Sequence, residues 1–271
     1  MPSNNLSNSL SSVEPFSKLD RWSLAFDGSD EYIACGSDSS LDVGTSEFTI
    51  AAWVKVTVDQ HCSFASKGDN FSGENYNNHG WALGRFASND KLYFDVYAGT
   101  DGGTPEDRRI AVISSNIIPL NQWVHVAGTR TTSGNDSIYT CYINGVQEAA
   151  TTASDGGAND ALDAAGIITD ANNNFDIGRS SKAQMNYFAG RMSDVVYYNT
   201  GLSSSQIQTI YDGGDSYRYN TGVASANLQG WWRMGDGAEN GTGSTIYDAS
   251  SNSNNGTMTN MEAADFKEDS P

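Results

Sequence analysis

The feature that most constrains this chain is the nine-residue run Phe48-Thr-Ile-Ala-Ala-Trp-Val-Lys-Val56, whose apolar positions alternate. Phe48, Ile50, Ala52, Val54 and Val56 share one face, with Trp53 and Lys55 on the other. That period of two belongs to a strand, not to a helix. Shorter runs of the same kind follow the chain: Trp22–Phe26, Tyr32–Cys35, Trp81–Gly84, Lys91–Tyr97, Arg109–Ser114, Trp123–Thr129 and Ile138–Ile143. Val146–Ala149, Phe175–Gly178 and Phe188–Tyr198 complete the series. Gly, Asn and Asp punctuate it, and Asn144-Gly145 predicts a hairpin with a primed turn.

One helix is predicted. Ser203-Ser-Ser-Gln206 reads as a capping box, and Ile207, Ile210 and Tyr211 give one apolar face before Asp212-Gly213-Gly214 stops it. About ten strands and one short helix predict an all-β sandwich or jelly roll. Apolar residues are only 38% of the chain, so the 11% of aromatic residues must supply much of the burial. Residues 1–20 read as a polar N-terminal arm and 21–214 as the sandwich. Residues 151–172 read as a surface excursion, and 215–271 as added strands of the same sandwich ending in an acidic tail.

The formal net charge is −18, from 15 Lys and Arg against 33 Asp and Glu. Phosphate binding needs clustered cations, so the balance excludes a nucleic-acid partner and an anionic membrane surface. No apolar run is long enough to span a bilayer, and Met1–Ser12 lacks the basic start and apolar stretch of a secretory signal. The chain therefore reads as made in a cytoplasm. Cys35, Cys62 and Cys141 form no CxxC pair and imply no disulfide framework.

Six stretches, in order, resemble the concanavalin A-like lectin/glucanase superfamily in its laminin-G-like branch. They are Leu24-Ala-Phe-Asp-Gly-Ser-Asp-Glu-Tyr32, Phe48–Val54, Leu120-Asn-Gln-Trp-Val-His-Val126, Cys141-Tyr-Ile-Asn-Gly-Val146, Phe175-Asp-Ile-Gly178 and Phe188–Tyr198. The resemblance implies a concanavalin A-like (laminin-G-like) jelly-roll β-sandwich with one short helix. A further piece, Gly230-Trp-Trp-Arg-Met-Gly-Asp236 with Asp248–Thr257, precedes the Phe-Asp-Gly strand in many relatives but follows it here. That order, and the ending Met258–Asp265, resembles structural proteins of marine bacteriophages. It implies a virion-surface protein, a capsid decoration or fibre/spike subunit, whose partners are other virion proteins, copies of itself and cell-surface glycans. A free-standing carbohydrate-binding module is the alternative.

Glucanases of the superfamily place carboxylates on alternate strand residues in a Glu-x-Asp-x-x-Glu pattern, which sets an acid beside a nucleophile. No Glu here begins that pattern, and Glu106-Asp107 has the wrong spacing, so no catalysis is expected. His61, His79 and His125 have no spacing that supports a zinc site or a triad. Asp27-Gly28-Ser29-Asp30 is either a plain turn or a tight oxygen-rich loop suited to calcium. The resemblance packs the strand carrying Asp194 beside that loop, which makes Asp194 a further candidate ligand. Stacking on a sugar needs exposed aromatic rings beside polar groups, and Tyr76, Trp81, Tyr93, Asp95 and Tyr97 are the candidates. Trp53, Trp123, Trp231 and Trp232 are expected in the core.

Overall fold

The computed structural model describes residues 22–44, 46–68, 80–97, 109–134, 136–152, 173–181, 184–214, 222–235 and 244–271. The expectations for the arm 1–20, for His79 and for most of the excursion 151–172 lie outside the described residues.

In chain order the first strands are β1 (Trp22–Asp27), β2 (Tyr32–Ala34), β3 (Phe48–Val56), β4 (Cys62–Lys67), β5 (Gly80–Arg85) and β6 (Lys91–Tyr97). Next come β7 (Arg109–Ile117), β8 (Val124–Ser133), β9 (Asp136–Ile143), β10 (Val146–Thr152), β11 (Phe175–Ile177) and β12 (Ala189–Tyr198). Helix α1 (Ser204–Gly213) precedes β13 (Leu228–Trp232), β14 (Thr245–Ile246), β15 (Gly256–Thr259) and β16 (Phe266–Glu268). These strands form two antiparallel sheets. Sheet A runs β10-β9-β8-β3-β12-β1-β16, with β13 also on β12, and sheet B runs β14-β15-β2-β11-β4-β5-β6-β7. The molecule is an all-β sandwich with one α-helix.

Period-two alternation builds the core. Phe48, Ile50, Ala52, Val54 and Val56 of β3 meet Phe64, Trp81, Leu83, Leu92, Phe94 and Val96 of sheet B in one buried cluster. Trp81 lies parallel to Tyr197 at 6.1 Å between ring centroids and meets Phe48 at 5.6 Å and Phe175 edge-on at 5.3 Å. Each such ring pair adds about 1 kcal/mol beyond the area it hides.

A second apolar cluster lies on the far side of sheet A. Ala51, Ala127, Tyr142, Val196 and Tyr198 are covered there by Ile207 and Ile210 of α1, with Leu228 and Trp231. The helix starts as its sequence predicts. Ser203 accepts from the Gln206 N–H, and the Gln206 side chain accepts the Ser203 N–H at 2.9 Å. Beside it His125 is fully buried against Trp53, at 5.3 Å between ring centroids, and Tyr211 stacks on Trp53 at 5.5 Å.

The last strands stitch the sheets together. β13 and β1 lie end to end along one side of β12, pairing Val195–Tyr198 and Ala189–Met192 respectively. At the join Asp194 adopts a left-handed φ of +47° within a bulge, and its Oδ1 accepts the Trp231 indole N–H at 2.7 Å. β15 joins β2 in sheet B, and β16 returns to pair with β1 in sheet A. All three cysteines are buried and free. No helix among the described residues is long and apolar enough to cross a membrane.

Candidate functional sites on the two outer faces

The candidate calcium ligands do not converge. Asp27 Oδ1 accepts the N–H of Ser29 at 2.7 Å and of Asp30 at 3.4 Å, which is an Asx turn closed on itself. Gly28 holds φ +80° there, and a side-chain carbon in its place would come within 2.7 Å of Ala189 Cβ. Asp194 is elsewhere. Asp27 pairs with Ala189, and Asp194 lies five residues further along the same strand, about 16 Å away at a strand rise near 3.3 Å per residue. Its carboxylate serves Trp231 instead. The triad Asp27, Asp30, Asp194 is therefore corrected to a turn and a separate bulge contact. Among the described residues no three His, Cys, Asp or Glu side chains gather to hold a metal.

The Asp27 turn contains a different feature. Glu31 Oε2 accepts the Asp27 N–H at 2.6 Å. Burial pushes the Glu31 carboxyl up to about 7, against the lowering pull of that hydrogen bond, and the charges of Asp265, Asp27 and Asp30 push the same way as burial.

The candidate sugar-stacking residues are also redistributed. Trp81 is fully buried in the main core and presents no ring to solvent, because its position on β5 faces sheet A. Tyr93 does face away from the core, but it too is buried. Its hydroxyl donates to the Cys62 carbonyl at 3.1 Å and meets Ser63 Oγ at 2.9 Å, while its ring packs on Phe86. Asp95 is buried on the same side. Tyr97 closes β6, with its side chain outside the described residues, and Tyr76 lies outside them altogether. The expectation that Trp81 and Tyr93 stack on a sugar is thus corrected.

The outer face of sheet B is laid out by register. A transverse row runs Ala34, Asp176, Ser66, Ala82, Asp95, Ala111 across six strands. Four small residues thus carry two buried carboxylates. Asp176 Oδ2 accepts from Arg179 Nε at 2.7 Å, and the Arg179 guanidinium lies 3.3 Å from the Tyr32 ring centroid. Burial raises the Asp176 carboxyl above its usual range, and the charge of Arg179 opposes the rise. Ser66 Oγ donates to the Arg179 carbonyl and accepts the Ser181 N–H, so the Arg179–Ser181 turn is fastened over the row. Asp176 was legible as an outward position, between inward Phe175 and Ile177. Arg179 carries no local signal, since only the turn after β11 brings it back.

The outer face of sheet A holds a second polar site. Lys55 and Arg191 lie directly opposite each other on β3 and β12. Lys55 Nζ donates to Asp269 Oδ2 at 3.0 Å, Arg191 Nη1 donates to the same oxygen, and Trp123 Nε1 donates to Asp269 Oδ1 at 3.2 Å. Partial burial raises the Asp269 carboxyl, but the Lys55 and Trp123 hydrogen bonds and the Lys55 and Arg191 charges outweigh it and hold it below its ordinary value. Trp123 is therefore half-buried in a surface contact instead of filling the core.

With this geometry in place, the comparisons with known proteins agree on the class. The sequence pattern described as the concanavalin A-like lectin/glucanases superfamily (Laminin_G_3) matches residues 27–208, and the chain belongs to that superfamily. Among solved structures it is similar to a candidate carbohydrate-binding protein of Bacteroides ovatus, at TM-score 0.58 and 20% identity, covering 88% of this chain. The chain spans 58% of that protein's length. It is also similar to a heptameric SAP-like pentraxin of Limulus polyphemus, at TM-score 0.50 and 15% identity, over 72% of this chain and 83% of that one. Tailspike protein 2 of an Escherichia coli O157:H7 bacteriophage aligns at TM-score 0.48 and 16% identity, over 82% of this chain and 31% of that one. No curated protein matches the chain in sequence.

Proposed function

We propose that the chain is a non-enzymatic structural subunit of a bacteriophage virion surface, assembling with copies of itself and other virion proteins. The observation that carries this reading is the character of the exposed apolar surface. Among the described residues the exposed large hydrophobic side chains are Val58, Ile113, Ile117, Leu120, Val146 and Met185, all aliphatic or thioether. Such side chains suit contact with protein, whereas a sugar-binding face presents aromatic planes. The net charge of −18 and the order of the C-terminal pieces support the virion setting.

A non-catalytic role is supported by the row on sheet B. Asp95 and Asp176 are three strands apart, about 14 Å at the usual strand spacing, whereas a retaining glycosidase pair stands about 5 Å apart. Glycan adhesion is the second reading. It is favoured by the superfamily and by Asp176, whose Oδ1 takes no hydrogen bond among the described residues. A sugar would reach that oxygen only after the Arg179–Ser181 turn lifts.

Light scattering over a concentration series, run beside a glycan array, separates the two. Self-association without glycan signal upholds the structural reading. A monomer at every concentration that binds a defined glycan replaces it with the second.

A further inference from the structure

Segment 262–271 is bound to the sandwich instead of being built into it. None of its residues is buried. Three things hold it: β16 pairs three residues with β1, Phe266 packs half-buried against the core, and Asp269 sits among Lys55, Trp123 and Arg191. Two of the donors, Lys55 and Arg191, stand on the central strands β3 and β12 of sheet A, and the third, Trp123, lies just before β8. Lys55 faces Arg191 across β3 and β12, and Trp123 immediately precedes Val124, which pairs with Val54. Two cations directly opposite each other repel unless an anion lies between them. In a chain where acids outnumber bases 33 to 15, that pairing marks a place made for a carboxylate.

We propose that this cradle, together with the edge of β1, is a docking site for an acidic extended segment. Residues 262–271 fill it within one chain, and the same segment of a second copy takes it in exchange. Main-chain pairing with Trp22–Leu24 gives the contact, and the carboxylate on Lys55, Arg191 and Trp123 fixes its register. The contacts within one chain and between two are the same, so effective concentration decides between them, and crowding of copies favours exchange. The clamp is partly exposed, with Lys55, Arg191 and Asp269 side chains at 24%, 32% and 26%, so salt weakens it. This inference deepens the self-assembly reading by naming its contact.

The test uses two full-length variants. Asp269→Asn keeps the acceptor and loses the donor, while the Lys55→Gln/Arg191→Gln double variant keeps the donor and loses the acceptor. Each alone should associate about as the unaltered chain does, because it loses the same contact in the closed chain and in the exchanged pair. An equimolar mixture should instead form a one-to-one heterodimer at least tenfold more tightly than either variant pairs with itself, by light scattering and native mass spectrometry. A mixture no more associated than its separate components would overturn the proposal. A fluorescent peptide of residues 262–271 gives a second readout. It should bind the Asp269→Asn chain at least tenfold more tightly than the double variant, and equal binding by the peptide's own Asp269→Asn form would overturn the site. If the unaltered chain self-associates and the mixture gains nothing over its components, self-assembly stands and this site falls.

Discussion

Two buried titratable residues oppose each other in how stability responds to pH. Glu31 is raised to about 7 in the fold, so its contribution is fully present below its unfolded value near 4.3 and is lost as pH rises through about 7. His125 is lowered to about 3 by burial. Its contribution is present above its unfolded value near 6.5 and is lost as pH falls toward 3. Between about pH 4.5 and 6.5 the two slopes cancel in the unaltered chain. Thermal melts across that window should therefore show Glu31→Gln losing stability toward acid and His125→Leu losing it toward neutrality. Parallel profiles for both variants would contradict the two assignments. Among the described residues neither His125 ring nitrogen has a hydrogen-bond partner, so at pH 7 His125→Leu should cost nothing or stabilise slightly, because it removes a buried polar group without such a bond. Trp81→Ala should cost about 3–5 kcal/mol in a denaturant titration, since its ring joins Phe48, Tyr197 and Phe175. A loss under 1 kcal/mol would mean that Trp81 is not in the core.

At the scale of elements, what was legible in the sequence is what kept a simple period. β3 has the boundaries and face that its alternation predicts, and α1 starts where its capping box predicts but runs on through Asp212 and Gly213. Replacing Ser203 with Ala should cost about 1 kcal/mol and loosen Tyr211 from Trp53, visible as a fall in the near-ultraviolet circular dichroism. β4 was not legible, because a bulge between Ser63 and Ala65 breaks its alternation and Lys67 is buried at its end. Lys67 survives there by donating to the Asn173 carbonyl at 2.7 Å beside the Asp42 carboxylate at 3.1 Å. The sugar-stacking candidates failed for a related reason. Alternation says that Tyr93 and Tyr97 share a face with Asp95, but it does not say which face is the core or what covers the other. Asp194 failed because a strand that packs beside a loop can still carry a given residue far from it. Register, which single-sequence patterns do not supply, decided both.

At the scale of the molecule, the sandwich is a carrier whose two outer faces differ. Sheet B's face is small, buried and carboxylate-bearing, while sheet A's face carries the helix and the cationic cradle that receives Asp269. Since Asp194 lies five residues along β12 from the partner of Asp27, away from the Asp27–Asp30 turn, a chelator should leave the melting temperature unchanged, and a drop of several degrees would reopen the question of a bound ion. The excess of acidic groups makes association between copies salt-dependent. Screening relieves general repulsion, while the weakening of the Asp269 clamp falls equally on the closed chain and the exchanged pair. Association should therefore strengthen as salt is added.

The central claim, that this superfamily fold serves assembly here and not catalysis or free glycan capture, is tested most directly by the mass of the native chain in solution. Light scattering from micromolar to several hundred micromolar protein should show a defined oligomer growing with concentration. A stable monomer across the whole range would contradict the account.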